Sequence, residues 1–206
     1  KDASISLDLF SLAIKVKINE PNFKINDQPI LLNSFVIFTD LKSSIGKKYL
    51  PKKIKISFAK NNITKIKEIY FVKSLNVFKD MKFVEGVASG NLILDELQDD
   101  QFKTVFIGEF NDVAISINDK LPFIQKINGK INYSKKRVLF SELSGNFGEF
   151  DLISREISYL FKKKYLVGII NLKGRLNPSI NVNKIIPKKF SINFENFDNI
   201  SGQFEI

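Results

Sequence analysis

The sequence predicts an all-β chain: a long antiparallel, curved sheet with one oily face and few short helices. Three observations carry that expectation. Apolar and polar residues alternate with period two over most of the chain, which is the signature of half-buried strands. No long amphipathic helix and no Pro/Ser-rich linker interrupts them. One short pattern, apolar-polar-Gly-polar-apolar, occurs four times: Ala88-Ser89-Gly90-Asn91-Leu92, Ile127-Asn128-Gly129-Lys130-Ile131, Leu172-Lys173-Gly174-Arg175-Leu176 and Ile200-Ser201-Gly202-Gln203-Phe204. The glycines are about 39, 45 and 28 residues apart, too irregular for a strict solenoid. In a strand, residues i, i+2 and i+4 share a face, so each glycine falls on the apolar side. A strand glycine marks a bend or a close approach. A sheet that bends at each unit is a trough rather than a slab.

The elements follow in order. Ile5, Leu7 and Leu9 alternate with Ser4, Ser6 and Asp8. The phase then slips, and Leu12, Ile14, Val16 and Ile18 alternate with Ala13, Lys15 and Lys17, which implies a bulge or a tight corner. Asn19-Glu20-Pro21-Asn22 closes that stretch. Strands are expected at 34–39, 53–59 and 68–72, with turns at Ser43-Ser44-Ile45-Gly46 and Lys60-Asn61-Asn62. Residues 72–83 are ambiguous and allow a short helix. A strand at 87–95 is followed by a charged turn or one helical turn at 96–101. Residues 102–117 form a long strand with a second slip near 109–112, after which Val113, Ile115 and Ile117 hold one face.

The best hairpin joins 126–133 to 137–143 through a two-residue turn at Lys135-Lys136. That register sets Tyr133 opposite Val138 and Ile131 opposite Phe140. The apolar face is then Ile127, Gly129, Ile131, Tyr133, Val138 and Phe140. The reverse face is Asn128, Lys130, Asn132, Leu139, Ser141 and Leu143. Gly145-Asn146 reads as the next turn. Strands at 147–153, 166–176 and 190–194 complete the set, with 182–186 a short helix or strand edge.

With 206 residues the chain is long enough for a real core, as one domain or two small ones. A modest break lies at 79–85; the reading adopted is one segment, 1–206. The chain starts at Lys1 and ends within a strand pattern, as expected of a piece of a longer protein. No apolar run reaches the ~18 residues that span a bilayer.

Cys 0 and His 0 exclude a thiol nucleophile, a disulfide, an imidazole base and a Cys/His zinc site. There is no GxGxxG, no GxxxxGK[ST] and no GxSxG. The acids Asp95, Glu96, Asp99 and Asp100 lack the glycine of a calcium loop and read as a solvated turn. No enzyme activity, cofactor or metal is therefore expected.

The net charge of +10 invites a nucleic-acid reading. It is discounted because Lys, Ile, Asn and Phe are enriched together, as an AT-rich genome produces whatever the function. Arg occurs only at Arg137, Arg155 and Arg175. Lysine clusters such as Lys52-Lys53, Lys135-Lys136 and Lys162-Lys163-Lys164 read as solvated loop tips and blunted edges. Their functional reading is contact with anionic lipid head groups.

The oily face admits two readings. In a closed sandwich it is dry core, and the module is structural or adhesive. In an open curved sheet it lines a groove suited to acyl chains, because burying one methylene is worth ~0.8 kcal/mol.

The run Leu121-Pro122-Phe123-Ile124-Gln125-Lys126-Ile127-Asn128-Gly129-Lys130-Ile131-Asn132-Tyr133, followed by Val138-Leu139-Phe140 and Gly145-Asn146-Phe147-Gly148, resembles the AsmA-like superfamily of bacterial envelope proteins (YhdP/TamB-type). The preceding Phe110-Asn111-Asp112-Val113-Ala114-Ile115-Ser116 and the following 165–176 are similar too, so the likeness covers about residues 86–180. The resemblance implies a repeating β-groove, or β-taco, in a protein that bridges the periplasm of a Gram-negative bacterium. The parent would be anchored in the inner membrane, would conduct phospholipids towards the outer membrane, and would serve outer-membrane biogenesis. The lining expected from the strand phases is Val113, Ile115, Ile117, Ile127, Ile131, Tyr133, Val138, Phe140, Ile170 and Leu172. The implied partners are phospholipid acyl chains, and membrane components reached through other parts of the parent, with no nucleic acid.

Overall fold

The structure, a computed structural model, describes residues 2–9, 12–25, 27–40, 51–66, 82–96, 102–116, 124–148, 150–162, 165–174, 190–196 and 199–205. They form thirteen strands and one helical turn. In chain order these are β1 (Ala3–Asp8), β2 (Ala13–Asn19), β3 (Asn22–Ile25), β4 (Gln28–Asp40), β5 (Pro51–Asn62), α1 (Ile63–Ile66), β6 (Lys82–Glu96) and β7 (Phe102–Ser116). Then come β8 (Ile124–Ser134), β9 (Arg137–Phe147), β10 (Phe150–Leu160), β11 (Tyr165–Lys173), β12 (Phe190–Asn196) and β13 (Asn199–Glu205).

Twelve strands are hydrogen-bonded side by side in the order β1-β2-β4-β5-β6-β7-β8-β9-β10-β11-β13-β12, and β3 pairs β4 beyond that path. Every pairing is antiparallel. Among the described residues β1 and β12 do not pair with each other, so the sheet is open and curled.

The first phase slip is the tight corner between β1 and β2: Leu12 takes φ 47, and Asp8 pairs with Ala13. The β8–β9 hairpin has the expected register, Tyr133 opposite Val138 and Ile131 opposite Phe140. Several expected elements differ from the structure. Gly145-Asn146 is not a turn but lies inside β9; the chain reverses at Gly148, φ 60, so that Phe147 pairs with Phe150. Leu143 is not on the reverse face: Glu142 at φ 54 slips the phase by one, and Leu143 enters the apolar cluster at 8 % exposure. Lys60-Asn61-Asn62 continues β5 instead of turning, and β3 replaces part of an expected connection. The turn expected at Ser43-Ser44-Ile45-Gly46, the strand at 68–72, residues 72–81 of the ambiguous stretch and the element at 182–186 lie outside the described residues.

The slip at Glu142 is one of a series. Each of the successive strands β4 to β8 carries an extra residue, shown by register shifts after Leu32, Phe58, Phe83, Phe110 and Gln125. Strands β9 and β10 continue it, with Glu142 opposing no β8 residue and a shift after Ile153. Each of β6 to β9 has a residue at positive φ at its bulge: Gly86, Asp112, Lys126 and Glu142. Between β6 and β9 neighbouring strands are bulged in step, so the register recovers on the far side. A bulge bends its strand and increases local twist. Seven of them in line make a crease running across the strands, along the order of the sheet.

Polar side chains satisfy the backbone groups that the crease unpairs. Asn61, 4 % exposed, accepts from Leu31 N at 2.7 Å and donates to Leu31 O at 2.9 Å and Ala59 O at 2.8 Å. Asn128 accepts from Asp112 N at 3.1 Å and donates to Lys126 O at 2.8 Å. Ser154, 1 % exposed, donates to Ile169 O at 2.5 Å.

Candidate functional site

Residues directly opposite in an antiparallel pair share a face, so the registers trace the apolar side strand by strand. One row runs Ile18–Phe35–Ile56–Leu92–Phe106–Tyr133–Val138–Tyr159 across eight strands. The next runs Leu32–Phe58–Gly90–Gly108–Ile131–Phe140–Ile157–Gly168. Beyond the crease the same side continues with Val113 opposite Ile127 and Leu152 opposite Leu172. Each strand shifts its apolar phase by one at its bulge, and this keeps the side continuous.

The glycines tighten the curl. Phe58 and Phe106 belong to strands on either side of β6, yet their rings meet edge-on at 6.3 Å over Gly90. Phe110 and Phe140 meet in the same way at 6.4 Å across β8, at Gly129. Strands two apart are ~9.6 Å from each other in a flat sheet. The missing side chain lets both rings lean into the gap, so the apolar side is the inside of the curl. Of the four glycines in the repeated pattern, Gly90, Gly129 and Gly202 lie within strands, while Gly174 follows the end of β11.

Nine of the ten expected lining residues lie on this side. Val113, Ile127 and Val138 are buried; Ile115, Ile131, Tyr133, Phe140, Ile170 and Leu172 are half-buried. Ile117 lies outside the described residues. Val113, Ile127 and Leu143 form the densest cluster, with Phe83, Phe110, Ile115, Ile124, Phe140, Ile157 and Ile63 of α1 packed on it. The expected lining omits Ile63, Phe83, Phe110, Ile124, Leu143 and Ile157 of this cluster. The last two were signalled by an apolar-side spacing of three, Phe140 to Leu143 and Ser154 to Ile157, at which period two breaks.

Among the described residues no second sheet covers the inside. Ile5 and Leu7 on β1, in register with Val16 and Ile14, are 77 % and 51 % exposed. The chain exposes 14194 Å², against ~9,800 Å² for a compact fold of this mass. At one end Tyr133 and Tyr159 stand edge-on to Phe161, at 5.7 and 5.5 Å. Burial there raises the Tyr133 phenol above its ordinary pKa of 10.0.

The opposite, outer face is mixed: polar side chains dominate it, but Ile107, Ile153 and Ile169 there are 50 %, 54 % and 54 % exposed. A depression of about 570 Å³ there is lined by Ser57, Ser89, Asn91, Glu109 and Lys130 among others; it is separate from the apolar trough. Asp95 of the acidic cluster pairs with Lys53 at 2.6 Å, and Asp99 and Asp100 lie outside the described residues. No helix among the described residues is long and apolar enough to cross a membrane.

Comparison with protein-family models, curated proteins and solved structures finds no match for this chain. The fold and site define its class on their own: an open, creased, antiparallel sheet with one continuous apolar side.

Proposed function

We propose that the chain is a non-catalytic segment of a periplasm-spanning AsmA-like envelope protein, anchored in the inner membrane, whose trough binds phospholipid acyl chains and conducts them between the inner and outer membranes. The observation that carries this reading is the apolar side itself, continuous over eight strands in register, with no second sheet over it among the described residues. The crease turns that side into a trough whose axis runs along the strand order. At ~4.8 Å per strand, twelve strands give a path of about 50 Å. Each methylene that moves from water into such a trough gains ~0.8 kcal/mol, and half-buried walls let the chain leave again. A structural or adhesive module with a closed dry core needs a second sheet over this side; among the described residues there is none.

Native mass spectrometry of the purified protein, followed by solvent extraction, tests the reading. Phospholipid that co-purifies, and is lost in a folded Ile131→Asp variant, is the expected result. A lipid-free protein that also fails to take up added fluorescent phospholipid overturns it.

A further inference from the structure

The outer face of β2, β4 and β5 carries a built array of cations. In register, Lys15 and Lys53 flank Phe38, and Lys17 and Lys55 flank Val36. All six residues share one face by alternation. The four lysines therefore sit at the corners of a rectangle about 10 Å by 7 Å at the backbone. Lys15 and Lys55 hold their ammonium groups over the Phe38 ring, at 6.0 and 5.5 Å from its centre. Val36 is only 8 % exposed although no second sheet among the described residues covers it, as expected where lysine stems lie along apolar surface and keep their charges in water. Asp40 and Asp95 engage Lys52 and Lys53. Among the described residues no ion pair involves Lys15, Lys17 or Lys55.

From this geometry we propose that the outer face of β2, β4 and β5 docks on an anionic lipid bilayer surface. The array presents point charges on the outside of the curl, which suits a surface of anionic head groups. Single-stranded nucleic acid would need an open aromatic face for stacking, and here the Phe38 ring lies under two ammonium groups. The inference uses the outer side of the sheet and does not rest on what the trough carries.

Co-sedimentation of the protein with vesicles tests it, comparing phosphatidylglycerol/phosphatidylcholine with pure phosphatidylcholine. Binding is expected to the anionic vesicles only, and to weaken with salt. At ~1 kcal/mol per lysine, the combined Lys15→Gln, Lys17→Gln and Lys55→Gln variant is expected to lose about a hundredfold in affinity. The matching Arg variant keeps its binding. So does Lys24→Gln, Lys136→Gln and Lys162→Gln, which removes the same charge elsewhere. Equal binding to neutral vesicles, an equal loss in the second Gln variant, or no vesicle binding together with tight binding of an oligonucleotide would each overturn the proposal.

Discussion

A Cβ added to Gly90 would lie 2.5 Å from Ile107 O, 2.7 Å from Gly108 Cα and 2.8 Å from the Phe106 ring. Two of those obstacles are backbone and cannot yield. At Gly129 the nearest atoms are the tip of Leu143 at 2.7 Å and the Phe110 ring at 3.0 Å, which are side chains that can shift. Gly90→Ala is therefore expected to cost about 1–3 kcal/mol, and more than Gly129→Ala, in urea unfolding. Tyr133 carries a pH prediction. Its phenol is raised by burial in the folded state, so the folded protein holds that proton more tightly than the unfolded chain does. The stability this contributes is present below pH 10 and is lost as pH rises above it. Unfolding midpoints followed into alkali should fall less steeply in Tyr133→Phe than in the parent.

The crease is the element-scale feature, and its parts make separable predictions. Asn61 takes the place of the ladder at the β4–β5 bulge through three bonds to backbone groups. Asn61→Ala leaves Leu31 N and O unpaired near the sheet interior and is expected to cost about 1–3 kcal/mol. Glu142 is exposed at φ 54, and its ion pair with Lys130 is solvated. Glu142→Gly should be nearly neutral, whereas Glu142→Val, β-branched in the left-handed region, should cost about 1–2 kcal/mol by thermal unfolding. Much of the sheet was legible in the sequence, because period-two alternation and the Lys135-Lys136 turn are local signals. The bulges were legible only in part. The slip at 109–112 stood out because the apolar face changes parity there. The slips at Lys126 and Glu142 did not, because Gln125, Lys126 and Glu142 look like ordinary strand polars. Their positive φ comes from neighbours bulged in step, and a single strand does not contain that information. The place of Ile63 was hidden for the same reason: α1 reaches the cluster of β7, β8 and β9 only once the sheet has curled.

At the scale of the molecule, the central claim is that the apolar side faces an open trough. Two aspartates separate trough from core. Val113 is 1 % exposed within the densest cluster, and Val113→Asp should unfold the protein by burying an unpaired charge. Ile131 is half-buried on the open wall, and Ile131→Asp should stay folded, as read by circular dichroism. The most direct measurement uses the alternation of β8. A photo-crosslinking residue is placed at Ile131 and, separately, at Asn132, and the protein is irradiated with radiolabelled phospholipid. The two positions are adjacent in sequence and point to opposite faces. The account predicts lipid adducts from position 131 and none from 132. Equal labelling at both positions, or none at either, would contradict it.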